Sequence, residues 1–210
     1  MDEDLRIMIA GGGTGGHLYP ALAIGAEIMN RKPNASVHYV GSKFGLEARI
    51  LPERGLPHTL LPISGFQRSF SPRSIGRNLM LVGRVPLALV KVRTLCRSME
   101  PNVIVGTGGY ASALPVKVGI GWKIPTVLQE QNSYPGLTTR LFAKPATAVY
   151  AGTSDTGSYL DTAIEVTGNP VRSEIRNGSK TAGSELFQFD GKRKTAVSYT
   201  HLPLPPSDLV

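Results

Sequence analysis

The chain is poor in cysteine and, over one long interval, has no negative charge at all. Its single cysteine, Cys96, has no partner for an internal bridge and no Cys or His cluster beside it. A disulfide scaffold and a structural zinc site are therefore excluded, no metal or cofactor is called for, and a reduced, cytosolic compartment fits. The start, Met1-Asp2-Glu3-Asp4, is acidic where a secretory leader is basic, and the first apolar run stops at the glycines of 11–13, so no signal peptide is expected. The best candidate for a membrane span, 79–95, is broken by Arg84, Pro86, Lys91 and Arg93, so no integral segment is expected either. With 210 residues, 41% hydrophobic and 18% charged, the chain suits one globular α/β domain and the start of another, with a core that needs no staple.

The net charge of +8 is concentrated. No Asp or Glu lies between Glu53 and Glu100, whereas Arg54, Arg68, Arg73, Arg77, Arg84, Lys91, Arg93 and Arg97 do. A basic block serves nucleic acid, anionic lipid or an anionic substrate. Its neighbours are aliphatic (Ile75, Leu79, Val82, Leu87 and Val90 among them), without stacking aromatics or a nucleic-acid motif. That favours an anionic membrane surface over RNA or DNA; the alternative is an amphipathic helix with a solvated basic face. The residues expected at the membrane are Ile75, Arg77, Leu79, Val82, Arg84 and Lys91, joined by Lys144.

Short apolar runs alternate with helical stretches. Strands are expected at 5–10, 37–40, 58–63, 103–105, 126–128, 146–150 and 164–166. Helices are expected at 18–31, 46–54, up to 99 with an interruption at Pro86, 111–121 and 137–143. This is the pattern of a doubly wound parallel sheet, Rossmann-like, whose ligands bind at the carboxyl ends of the strands. Residues 1–172 are expected to form that domain, 173–197 a linker and the opening of a further domain, and 198–210 a disordered, non-native tail, since Pro203, Pro205 and Pro206 forbid regular structure there.

Two glycine clusters and one polar run fall at strand ends. Gly11 to Gly16 satisfies G-x-G-x-x-G: glycines let the backbone approach a phosphate, and the following helix offers free N–H groups. A nicotinamide-dependent oxidoreductase would carry an acid at the end of the second strand, where Tyr39-Val40-Gly41-Ser42 has none, and no Gly-Lys-Ser/Thr marks a P-loop. His17, at the mouth of this loop, is a candidate proton acceptor. Gly106-Thr107-Gly108-Gly109-Tyr110 repeats the strand–glycine–helix arrangement, and two such loops side by side could embrace a diphosphate. Glu130 is the sole carboxylate between Glu100 and Asp155; it is either catalytic or an orienter of its own loop. Gln131 and Asn132 are neutral groups of the kind that read sugar hydroxyls.

Taken in order, Gly12 to His17 followed by Pro20, Ser64-Gly65, Gly106 to Ser112, Gln129 to Asn132 and Gly168-Asn169-Pro170-Val171-Arg172 resemble the undecaprenyl-diphospho-muramoylpentapeptide N-acetylglucosaminyltransferase family (MurG), over roughly residues 5–175. The resemblance implies the N-terminal domain of an inverting, two-domain GT-B glycosyltransferase that needs no metal for its fold. It implies transfer of N-acetylglucosamine from UDP-GlcNAc to lipid I, giving lipid II, at the cytoplasmic face of the membrane. Carried over by position, the two glycine loops, with Gly108, Gly109 and Tyr110, would hold the lipid diphosphate. Thr14, Gly15, Gly16, Asn132 and Arg172 would touch the donor, and His17 would be the general base or orient the acceptor. The family's usual His before Glu-Gln-Asn is Gln129 here, so no acid–base role passes to that position. The second domain would begin near Lys192 and is expected to be missing from this chain, so a non-catalytic lipid-diphosphate and membrane-binding module is the alternative.

Overall fold

The computed structural model describes residues 5–65, 71–176 and 178–189. The elements run β1 (Arg6–Ala10), α1 (Gly15–Arg31), β2 (Ser36–Ser42), α2 (Glu47–Glu53), β3 (His58–Leu61), α3 (Pro72–Met99) and β4 (Val103–Gly106). They continue with α4 (Tyr110–Gly121), β5 (Thr126–Glu130), α5 (Leu137–Phe142), β6 (Ala148–Ala151), a 3-10 turn (Ser154–Tyr159), β7 (Glu165–Val166), α6 (Ser173–Arg176) and α7 (Lys180–Leu186). The strands form one sheet of order β3-β2-β1-β4-β5-β6-β7, and every neighbouring pair is parallel. The expected doubly wound, Rossmann-like sheet is what the chain forms.

The alternation of β1 divides the core. Ile7 and Ile9 face one side, where they pack with Leu18, Ala21 and Leu22 of α1 and Ile50 and Leu51 of α2. Met8 and Ala10 face the other, against Ala88, Val92 and Cys96 of α3 and Val118 of α4. A third cluster joins Val116, Leu128, Ala143 and Val149 beneath β5 and β6. Each large aliphatic group buried this way contributes about 1.5–3 kcal/mol, and strands covered on both faces are the reason the runs are so uniformly apolar. Cys96 belongs to this packing: burial pushes its thiol up to about 11, which leaves little thiolate at neutral pH.

One local feature differs from expectation. Pro86 does not interrupt α3, which runs unbroken from Pro72 to Met99. Proline removes one intrahelical bond, and Pro86 lies on the exposed side of the helix, where its ring takes no space from the core. The stretch expected to be a linker carries two short helices, α6 and α7; Ser179 caps α7 by accepting from Ala182 N at 3.3 Å, and α7 buries no residue. The expectations for 190–210, including the opening of a further domain near Lys192 and the tail, lie outside the described residues.

Candidate functional site

The strand order reverses between β1 and β4, the place where open parallel sheets bind ligands. Ala10 pairs with Gly106, so the two glycine loops leave the sheet side by side at one level. They touch: a Cβ on Gly109 would lie 2.1 Å from the Gly12 carbonyl oxygen, and the Gly109 φ of 76° suits glycine alone. The loops are locked together by Thr107, whose hydroxyl donates to the His17 carbonyl at 2.9 Å.

His17, in the first turn of α1, lies against the second loop. Its Nδ1 is 3.1 Å from the Thr107 carbonyl and 3.0 Å from Gln131 Oε1. Both partners are acceptors, so in the neutral ring Nδ1 carries the hydrogen and Nε2 keeps its lone pair. Gln131 is in turn fixed by donating from Nε2 to the Thr107 carbonyl at 2.9 Å and to Gln129 Oε1. Gln131 thus orients the imidazole, a role its sequence position did not disclose.

Glu130, 1% exposed, spends its carboxylate on its own loop. Oε1 accepts from Asn132 N at 3.1 Å and Asn132 Nδ2 at 2.9 Å; Oε2 accepts from Gly136 N at 2.9 Å and Thr139 Oγ1 at 2.5 Å. Four donors leave it no free face toward a substrate, and of its two sequence readings this geometry favours the orienter. Tyr110 likewise turns inward. Its ring packs on Gly13 and Gly65, and burial raises its phenol above the ordinary range, opposed by a hydrogen bond with Ser42 and helped by the nearby Glu47.

A third wall comes from the segment after β7. Asn169 Nδ2 donates to the Gln131 carbonyl at 3.3 Å, and the Arg172 guanidinium stacks on the Tyr19 ring at 4.3 Å. Between them and the first turn of α1 lies a groove of about 390 Å³ lined by Gly15, Gly16, Tyr19, Gln131, Asn169 and Arg172. Arg172 Nε is buried without a partner among the described residues. A larger hollow of about 1120 Å³ runs along the outer side of α1 but contains neither glycine loop. The structure therefore brings together Thr14, Gly15, Gly16, His17, Gly108, Gly109, Gln131 and Arg172, with Asn132 on the neighbouring loop.

Sequence reasoning missed Glu47. It is fully buried at the start of α2, near the end of β2 where a dinucleotide enzyme would keep its ribose-binding acid. Its Oε1 accepts from Ser42 N at 2.8 Å and from Gly13 N at 3.0 Å. A carboxylate so enclosed cannot reach a ribose, which disfavours the oxidoreductase reading further. Among the described residues, no group of three or more His, Cys, Asp or Glu could hold a metal ion.

Of the residues expected at a membrane, all but Lys144 lie on α3, apart from this groove. Ala88, Val92 and Cys96 are buried, while Leu79, Leu87 and Val90 are 72%, 65% and 59% exposed. Spacings of eight and eleven residues from Leu79 place these three on one helix face. Arg84 stands over the Phe44 ring at 5.1 Å, and Lys91 Nζ donates to the Leu60 carbonyl at 2.9 Å. Lys144 pairs with Asp161 at 2.9 Å. The side chains of Ile75, Arg77 and Val82 lie outside the described residues, as does Arg68. Among the described residues, no helix is long and apolar enough to cross a membrane.

Comparison with known proteins agrees with this geometry. The model of the glycosyltransferase family 28 N-terminal domain matches residues 7–151. A UDP-N-acetylglucosamine--N-acetylmuramyl-(pentapeptide) pyrophosphoryl-undecaprenol N-acetylglucosamine transferase of Christiangramia forsetii is 38% identical over 202 residues, covering 94% of this chain and 54% of the relative. The protein of the same description from Chlorobaculum tepidum is 37% identical over 198 residues, covering 93% and 54%. The chain thus spans about half the length of the curated relatives it matches. Among solved structures, MurG of Acinetobacter baumannii superposes with a TM-score of 0.59 at 22% identity, over 81% of this chain and 47% of that one. Anabaena Alr3699/HepE, in complex with UDP and glucose, gives 0.51 at 16%, over 87% and 49%. At these identities the structures speak for the fold alone.

Proposed function

The chain belongs to the glycosyltransferase family 28 N-terminal domain family, and from this premise we propose that it is the acceptor-binding half of an enzyme that transfers N-acetylglucosamine from UDP-GlcNAc to lipid I, giving lipid II. The observation that carries this reading is the meeting of two glycine loops at the β1/β4 switch point, with His17 fixed between them. Backbone amides at the start of α1 suit a diphosphate, and the Arg172 guanidinium beside Gly15 and Gly16 adds a cation to the same groove. In the reaction, the acceptor hydroxyl oxygen attacks the anomeric carbon and the bond to the UDP oxygen breaks with inversion. UDP leaves with the bonding electrons. His17 Nε2, with its lone pair open, takes the hydroxyl proton. Gln131 and Thr107 hold the imidazole in that tautomer, and Glu130 holds the Asn132 loop.

Because the chain spans about half of its relatives, it should bind lipid I or a soluble analogue yet give little or no transfer from UDP-GlcNAc. A radiolabelled transfer assay on the purified chain checks this. Turnover on the order of 1–1000 per second, the range of an intact enzyme, would show that the catalytic apparatus is complete here.

We also propose that α3 rests peripherally on the cytoplasmic face of an anionic membrane. The exposed Leu79, Leu87 and Val90 supply apolar contact, flanked by Arg84, Lys91, Arg93 and Arg97, each worth roughly 1 kcal/mol near such a surface. Co-sedimentation with phosphatidylglycerol vesicles should fall as salt rises and fall again in a variant carrying Arg77→Glu, Arg84→Glu and Lys91→Glu. Binding indifferent to both changes would return α3 to the role of a solvated core helix.

A further inference from the structure

We infer that Glu47 is a positioning residue: its carboxylate holds the first glycine loop in shape and occupies the Gly13 amide, so that a diphosphate is received only by the amides of Thr14, Gly15 and Gly16. This rests on the reading that the glycine loops hold a diphosphate. Glu47 opens α2, yet it is 0% exposed, unusual for a glutamate with no cationic partner. Burial is possible because three glycines surround it. A Cβ on Gly12 would lie 2.3 Å from Oε1, one on Gly41 2.3 Å from Cγ, and one on Gly45 2.4 Å from both carboxylate oxygens.

These glycines come from three different segments: the first loop, the end of β2 and the turn into α2. The carboxylate compensates its lost hydration with charge-assisted bonds from Gly13 N, at 3.0 Å to each oxygen, and Ser42 N, at 2.8 Å. The arrangement has a directional consequence. An incoming phosphate would compete with a carboxylate for the Gly13 N–H and would be repelled by it. The next amides belong to the N-cap and first turn of α1, where no side chain caps the helix and the donors are open to a ligand.

The test uses the 210-residue chain, amide-resolved NMR and inorganic pyrophosphate. Glu47→Gln keeps the side-chain length but turns an NH₂ group toward backbone donors. Exchange at the Gly13 amide should quicken by about tenfold or more, the effect of losing a charge-assisted bond, while amides of β5 and β6 keep their protection. Pyrophosphate affinity should fall by about tenfold in parallel. A purely electrostatic role would change affinity with the opposite sign, since removing a negative charge tightens anion binding. Glu53→Gln, an exposed carboxylate on the same helix, should change neither. Unaltered Gly13 exchange, or pyrophosphate held as tightly as before or more so, overturns the proposal. Should Glu47→Gln not fold, titration of the unaltered chain decides. The 14–16 amides should shift while Gly13 stays in place, and a Gly13 shift as large as that of Gly15 overturns it. Pyrophosphate that moves none of these amides removes the diphosphate reading of the loops, and exchange at Gly13 still decides whether Glu47 holds the loop.

Discussion

His17→Ala, in a two-domain protein carrying this chain as its first half, should lower kcat by about 10²–10⁴, the usual cost of removing a general base. Acceptor KM should change little, because an interaction made only as the proton moves is lost from kcat and not from ground-state binding. The geometry makes this a sharp expectation: two oxygen acceptors at Nδ1 leave Nε2 as the one ring atom that can take a proton. Glu130→Gln is the matched comparison. It places an NH₂ group against one pair of the four donors that Glu130 now satisfies, costing about 1–3 kcal/mol of stability. Its loss should therefore appear in thermal melting and in both kinetic constants together. If Glu130→Gln abolishes kcat at unchanged stability while His17→Ala leaves it intact, the carboxylate is the base and the assignment fails.

The second large effect concerns the contact between the loops. Gly109→Ala places a methyl 2.1 Å from the Gly12 carbonyl oxygen, at a backbone φ of 76°. The left-handed conformation alone costs about 1–3 kcal/mol for a non-glycine residue, and neither backbone can yield without moving its whole loop. Melting should fall by roughly 5–10 °C, and pyrophosphate binding should be lost, since the loops must part. Gly83→Ala is the control: it lies inside α3 with nothing within 4 Å of the added carbon, and should stabilise by up to about 1 kcal/mol. Equal melting of Gly109→Ala and the unaltered chain, read by calorimetry, would mean that the loops are not in contact in solution.

Much of this was legible in the residues. Apolar runs alternating with helical stretches were enough for the parallel sheet, and the glycine clusters announced their places because each follows directly on a strand. What could not be read were roles that depend on contacts between distant segments. Glu47 looks in sequence like any acid in the first turn of a helix; only the convergence of Gly12, Gly41 and Gly45 encloses it. Gln131 and Tyr110 carry groups suited to a ligand, and their bonds to His17, Thr107 and Ser42 join segments far apart in the sequence. For Glu130 the sequence left two roles open, and four hydrogen bonds from its own loop favour the orienter. Pro86 misled for a different reason: a proline costs a helix one hydrogen bond and a steric clash, but packing of the rest of α3 on the sheet carries the helix through it.

The pairing of β1 with β4 also governs the order in which the molecule comes together. Arg6 N bonds to Asn102 Oδ1 across a sequence separation of 96, whereas β1 reaches β2 within a single helical crossover. Non-local strand pairing is slow because the closure entropy is lost before the contacts form. The unit from β1 to β3 can gather early during synthesis, with its glycine loop facing nothing. The groove exists only after β4 and then β5 have added to the open edge of β1 and the segment bearing Asn169 and Arg172 has followed, so the binding face is among the last parts of this domain to be completed.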